Sequence, residues 1–204
     1  MVTKIVFKSV PLQMLAAFAL VAGSLFGGCG PAVQNISVKS PAAVAAVPDQ
    51  ATIVIVQPTT MFSPLNILDA RGGLLGQLDA RSHTVVHVPA GPVRLYAVLE
   101  KAAKTADRID GTVEAGRIYY ASVSMRWGGV SFLALNTRSP DARWSKKDQY
   151  LSRTARVQMD PQRVALARSE LGDPAPVLEK ADAFVAKLDA AHRAERTIHA
   201  EDGI

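Results

Sequence analysis

Short apolar runs separated by turn-forming residues fill the middle of the chain. In Ala51–Gln57, Ile53 and Ile55 point one way and Val54 and Val56 the other. Both faces are apolar, which predicts a strand covered on both sides. Pro58 ends it. Residues 65–68, 74–78 and 84–88 predict further strands, with a turn over Asp69-Ala70-Arg71-Gly72-Gly73 and another over Pro89-Ala90-Gly91-Pro92. Over 93–100, Val93, Leu95, Ala97 and Leu99 share one face, and Arg94, Tyr96 and Glu100 the other, with Val98 as the exception. That alternation predicts a half-buried strand whose second face is solvated or partly covered. Residues 109–113, 117–127 and 130–135 complete the series, and 35–38 is a candidate short strand. Tyr119 and Trp127 fall on the apolar parity of 117–127 and are expected in the core.

No helical period of useful length separates these strands, which argues against a parallel α/β sheet. The expected fold is mainly β with C-terminal helices: a compact antiparallel β-sandwich or small barrel flanked by α-helices. A single sheet would leave an apolar face bare.

The period changes after Asn136. Ser139-Pro140-Asp141 predicts a helix start and 142–154 a short helix holding Trp144, Tyr150 and Leu151. Asp160-Pro161 predicts a second cap, 163–171 a second helix, and Gly172-Asp173-Pro174 its stop. One last helix is expected over 177–200, because Val177, Ala181, Phe184, Leu188 and Ala191 form a stripe widened by Leu178 and Val185. Such a helix suits packing across the β domain. A partner-binding or oligomerising helix and a lipid-contacting one are the alternatives, and Glu179, Asp182 and Asp189 weaken the last.

The N-terminus has a different character. Lys4 and Lys8 precede a clean apolar stretch over 14–23, extended by Leu25 and Phe26 and followed by Gly27, Gly28 and Cys29. A basic start, a short apolar run and small residues at a boundary make a secretion signal. The clean run is shorter than the roughly 18 residues of a membrane-spanning helix. Leu25-Phe26-Gly27-Gly28-Cys29 resembles the lipobox of bacterial lipoproteins, with Phe26 where that pattern prefers leucine. The resemblance implies cleavage between Gly28 and Cys29, a diacylglyceryl group on the Cys29 thiol and often an acyl group on its new amine. Two or three acyl chains make such an anchor durable, whereas one is marginal. Gly30 follows, without the aspartate that resembles an inner-membrane retention signal, which favours the outer membrane. The expected organisation is a signal peptide over 1–28, a lipidated and flexible tether over 29–50, a β domain over 51–137 and a helical region over 138–204. Pro31, Pro41 and Pro48 support an extended tether.

Composition adds limits. The 204 residues carry 49% hydrophobic side chains, enough for a real core, and a net charge of +5, part of it in the leader. Acids and bases are interspersed, as at Asp107, Arg108 and Asp110, which reads as a solvated face, with Asp107 and Asp110 as loop solvation. The clustered footprint of a nucleic-acid binder is missing, so no nucleic-acid partner is expected. The single cysteine excludes an intrachain disulfide and a cysteine-rich metal site.

The remaining chemistry is sparse. His83 and His87 lie four apart on a strand, roughly 13 Å along the chain, too far to share a metal. His192 and His199 are seven apart on the expected last helix. Ser122 and Ser124 lack a nucleophile elbow, and Gly72-Gly73 and Gly128-Gly129 make no phosphate loop. No enzyme activity, metal or cofactor is therefore expected. Arg94, Tyr96, Tyr120 and Arg126 fall on polar parities and form the candidate ligand-binding set.

The order of "ATIVIVQP", the Pro89-Ala90-Gly91 turn before a strand, and Gly116-Arg117-Ile118-Tyr119-Tyr120 resembles the DUF2846-type domain of bacterial lipoproteins over about residues 50–137. The resemblance implies an exported β domain and carries over no catalytic residue. The expected function is a non-enzymatic envelope lipoprotein, held at the membrane by its N-terminal lipid, that contacts another envelope component or a second copy of itself. The alternative is a binding module for glycan, peptidoglycan or another envelope ligand.

Overall fold

A computed structural model describes residues 36–60, 64–99, 105–126, 129–138 and 143–204, apart from the side chains of Arg126 and Glu170. The leader, Gly28 and Cys29, Trp127 and the cap over Ser139-Pro140-Asp141 lie outside the described residues.

Among the described residues, eleven strands form two sheets. The first runs in the order β1 (Ser37–Lys39), β10 (Ala155–Met159), β5 (Ser82–Val88), β2 (Ala51–Gln57), β8 (Ile118–Arg126), β9 (Gly129–Leu135). The second runs β11 (Thr197–Ile198), β7 (Thr105–Val113), β6 (Gly91–Leu99), β3 (Leu65–Asp69), β4 (Leu74–Leu78). They pack face to face as a sandwich, without closing into a barrel. Ile53, Ile55, Tyr119, Ala121, Val123 and Phe132 of the first sheet meet Leu65, Ile67, Leu95, Ala97, Leu99 and Ile109 of the second. Each fully buried aliphatic side chain in this layer stabilises the fold by about 1.5–3 kcal/mol.

The expected sandwich with C-terminal helices is observed, but its sheets are mixed. β2 pairs with β8, β10 with β5 and β11 with β7 in parallel. Parallel neighbours need long connections. Between β2 and β8, strands of the opposite sheet contribute to the connection: the chain passes through β3 and β4, returns to β5, then passes through β6 and β7 before reaching β8. The missing helical periods excluded helical crossovers and left these sheet-switching ones open.

Both outer faces are covered. On the second sheet, Leu68, Leu74, Tyr96 and Val98 pack under α2 (Pro161–Glu170) and α3 (Ala175–Ala186) through Ala167, Val177, Leu178 and Ala181. On the first sheet, Val54, Val56, Tyr120 and Leu135 pack with Val44, Trp144, Tyr150 and Leu151, the last two from α1 (Lys147–Ser152). β2 is buried along its whole length, as its two apolar faces predict.

Three expectations are corrected. The tether does not extend to residue 50. β1 pairs with β10, the Arg156 guanidinium holds the carbonyls of Ala42 and Ala43, and Thr52 Oγ1 donates to the Ala45 carbonyl at 3.3 Å. Residues 138–204 are not a separate helical region, because β10 and β11 from this stretch each extend a sheet. The single last helix is broken at Lys187 to Asp189, where the Asp189 carboxylate accepts from His192 N and caps α4 (Ala190–Ala194). The apolar stripe holds only through α3: Val177, Leu178, Ala181 and Val185 are buried, while Phe184 and Ala191 are exposed. By contrast Asp160 caps α2 as expected, accepting from Gln162 N at 3.0 Å ahead of Pro161.

Candidate functional site

The candidate set divides between two surfaces. Arg94 and Tyr96 lie on β6 in the second sheet, whereas Tyr120 and Arg126 lie on β8 in the first. Tyr96 and Tyr120 belong to clusters on opposite outer faces, so the sandwich core separates them. The backbone of Arg126 pairs with Gly129 at the end of β8. Tyr96 is 2% exposed and Tyr120 8%, so neither is the open recognition residue that its polar parity suggested. Helices cover the faces on which they sit.

Tyr120 builds a local clamp. The Trp144 ring meets it edge-on at 6.1 Å, and Lys147 Nζ stands 4.7 Å from one ring centroid and 4.8 Å from the other. A cation shared by two ring faces holds α1 to the sheet. Burial first, and the Asp148 carboxylate second, push the Tyr120 hydroxyl above its ordinary pKa.

Tyr96 belongs to a hub centred on Asp182 of α3. Its hydroxyl donates to Asp182 Oδ1 at 2.8 Å, and Arg108 Nη1 binds the same oxygen. Arg108 Nη2 reaches Asp110 Oδ2 at 3.2 Å, and Arg94 Nη1 stands 3.8 Å from Asp182 Oδ2. Burial alone would raise the Asp182 carboxyl, but the Tyr96 hydroxyl and the Arg108 guanidinium hold it below its ordinary value. The hub fastens α3 to β6 and β7. Asp107 and Asp110, read in the sequence as loop solvation, are residues of β7, as is Arg108.

Beside this hub two open depressions share Ala70, Arg71 and Arg94. One, of about 320 Å³, runs toward the start of α3 past Tyr96, Glu179 and Asp182. The other, of about 410 Å³, runs toward the Pro89-Ala90 turn. The turn that presents Arg71 is built rigidly. Asp69 Oδ1 accepts from Arg71 N and Gly73 N, both at 2.8 Å. Gly72 adopts φ +79° against Pro174, where a Cβ would come within 2.4 Å of the proline ring. A fixed turn and an adjacent strand thus present two guanidinium groups at one concave surface. Such groups recognise carboxylates and other oxygen-rich groups through planar, forked donors. Glu179 and Asp182 on the facing wall would accept from hydroxyls or amines. Arg71 carries no sequence signal beyond its place in a turn.

A buried ion pair lies elsewhere. Asp107, fully buried, pairs with Arg196 at 2.9 Å and also accepts from Phe132 N and Arg108 N, both at 2.9 Å. Arg196 Nη1 donates to the His192 carbonyl at 3.0 Å. Ala134 N donates to the Glu195 carbonyl and Asp110 N to the Arg196 carbonyl, so this segment bridges β9 and β7. The pair clamps the C-terminal segment across the rim of the sandwich. Sequence reasoning missed it because 89 positions separate its members.

The histidines are dispersed. His83 is buried and its Nδ1 lies 2.8 Å from Thr154 Oγ1, while His87 is exposed beside Thr52 Oγ1. His192 pairs with Asp189 and stands on α4, and His199 lies beyond the helix in the next turn. Among the described residues, no group of three or more His, Cys, Asp or Glu side chains is placed to hold a metal ion. No family model matches the chain, and no curated protein matches it.

Proposed function

We propose that this protein is a non-enzymatic lipoprotein of the bacterial envelope, cleaved before Cys29 and held at the membrane by lipid on that residue. The observation that carries this reading is a junction. A lipobox-like stretch ends at Cys29, and seven residues later Ile36 is fastened into a rigid sandwich. The sandwich contacts another envelope component or a second copy of itself. The DUF2846-like order of motifs fits an exported β domain, and the Gly30 that follows Cys29 favours the outer membrane. The anchor is tested by intact-mass measurement and membrane fractionation of the wild type and Cys29→Ala. Wild-type protein should carry the mass of a diacylglyceryl-modified Cys29 and partition with membranes, and the variant should lose both. An unmodified, soluble wild-type protein cleaved elsewhere would defeat the reading.

A second reading has its own observation, the surface shared by Arg71 and Arg94. It suits a module that binds an envelope ligand bearing carboxylates and hydroxyls, such as peptidoglycan. Arg71→Ala should weaken binding to isolated peptidoglycan without changing the thermal midpoint. Undiminished binding would remove this surface from consideration.

A further inference from the structure

Ile36 is the first described point at which the chain coming from Cys29 is held. Its N–H donates to Gln77 Oε1 at 2.7 Å, its carbonyl accepts from Asp160 N at 2.8 Å, and its side chain is 2% exposed. Gln77 is itself buried and donates to Asn66 Oδ1 at 3.0 Å. Pulling Ile36 free would strand buried polar groups as well as expose its side chain. The link from Cys29 can therefore be no longer than the chain up to Ile36. Seven peptide steps separate Cys29 from Ile36 and span at most about 25 Å when fully extended. The sandwich cannot turn an arbitrary side to the bilayer on so short a leash.

We infer that, in the lipid-anchored protein proposed above, the corner of the sandwich around Ile36 and α2 is the face that meets the bilayer. Its partner is the phospholipid headgroup layer of the anchoring leaflet. The surface chemistry at this corner fits that partner. α2 starts directly after Asp160, whose backbone is bonded to Ile36. It carries Leu166, 51% exposed, and the exposed Arg168. β1 adds the half-exposed Val38 and Lys39. A groove of about 520 Å³, lined by Leu75, Val85, Met159, Pro161 and Val164 among others, opens at the same corner. Met159 there pairs directly with Ser37. Apolar side chains among arginines and lysines settle at a headgroup layer, where the cations remain hydrated and attract anionic lipid. Asp160 and Glu170 are the acids at the two ends of α2, and the Asp160 carboxylate is occupied in capping it.

Leu166 and Phe184 form a matched pair for the test. Phe184 is 48% exposed and sits on α3 near Arg196, toward the β7 edge of the second sheet. β7 and β4 are three strand spacings apart, about 14 Å. Full-length Leu166→Cys and Phe184→Cys proteins, lipidated in cells, are labelled with a fluorophore at the new thiol, since acylation blocks Cys29. Each is reconstituted into phosphatidylethanolamine–phosphatidylglycerol vesicles containing a headgroup-nitroxide lipid, and the vesicles are floated. The expected result is flotation of both proteins with several-fold stronger quenching at position 166. Gln162→Cys, on the exposed first turn of α2, should behave like position 166. Flotation with equal quenching, or with stronger quenching at position 184, would overturn the inference and leave the anchor intact. Failure to float would overturn the anchor, and the inference with it.

Discussion

Asp107→Ala should be among the most damaging single changes in this protein. The carboxylate is fully buried and accepts from Phe132 N, Arg108 N, and Nε and Nη2 of Arg196. Removing it leaves the Arg196 guanidinium, whose side chain is 9% exposed, without its counter-charge. Two backbone N–H groups also lose their acceptor. Breaking a buried pair from one side costs about 3–5 kcal/mol, and partial entry of water keeps the backbone losses inside that range. For a domain of this size the loss corresponds to a fall of about 6–20 °C in Tm. The assay is urea unfolding followed by tryptophan fluorescence, with the midpoint and slope fitted separately. Arg196→Met in the Asp107→Ala background should recover part of the loss, because an unbranched apolar chain replaces a stranded charge. The C-terminal segment should also become sensitive to limited proteolysis in the single variant. A loss below about 1 kcal/mol, or additive effects in the double-mutant cycle, would refute the clamp.

Two further outcomes follow from the same architecture. Gly111→Ala should separate β11 from β7, because Gly111 adopts φ +151° and an added Cβ would lie 1.9 Å from the Ile198 carbonyl oxygen. Hydrogen exchange should show lost protection over 195–204 with β2 and β8 still protected, and unchanged protection would refute the contact. His83 should make stability depend on pH near neutrality. Burial first, and the Arg156 guanidinium second, hold its imidazole below the ordinary 6.5. Its contribution is therefore fully present above about 6.5 and is lost as pH falls toward the folded-state pKa. Thermal melts between about pH 7.5 and 5.5 should flatten in His83→Gln relative to wild type, and parallel profiles would refute this assignment.

Local pattern alone determined a large part of this molecule. The two apolar faces of 51–57 demanded cover on both sides, and β2 is buried throughout. The parity of 117–127 put Tyr119 in the core, where it is 1% exposed. Asp160-Pro161 capped a helix and Gly172 ended it, because capping and left-handed backbone depend on a few adjacent residues. The turn of Pro89-Ala90-Gly91 led into β6 for the same reason.

What depended on partners distant in the chain was not legible. A polar parity shows that a face is polar, not what lies over it. Tyr96 and Tyr120 read as the better candidates for a recognition surface, yet Asp182 lies 86 residues beyond the first, and Lys147 and Trp144 cover the second. Asp107 read as a solvated loop residue because its counter-charge comes from the last turns of the chain. The stripe over 177–200 continued past the point where Asp189 restarts the backbone as α4. Periodicity records which side of an element is apolar. Only the assembled sandwich decided which charge met which, that Arg71 and Arg94 share one surface, and that Gln77 and Asp160 hold Ile36.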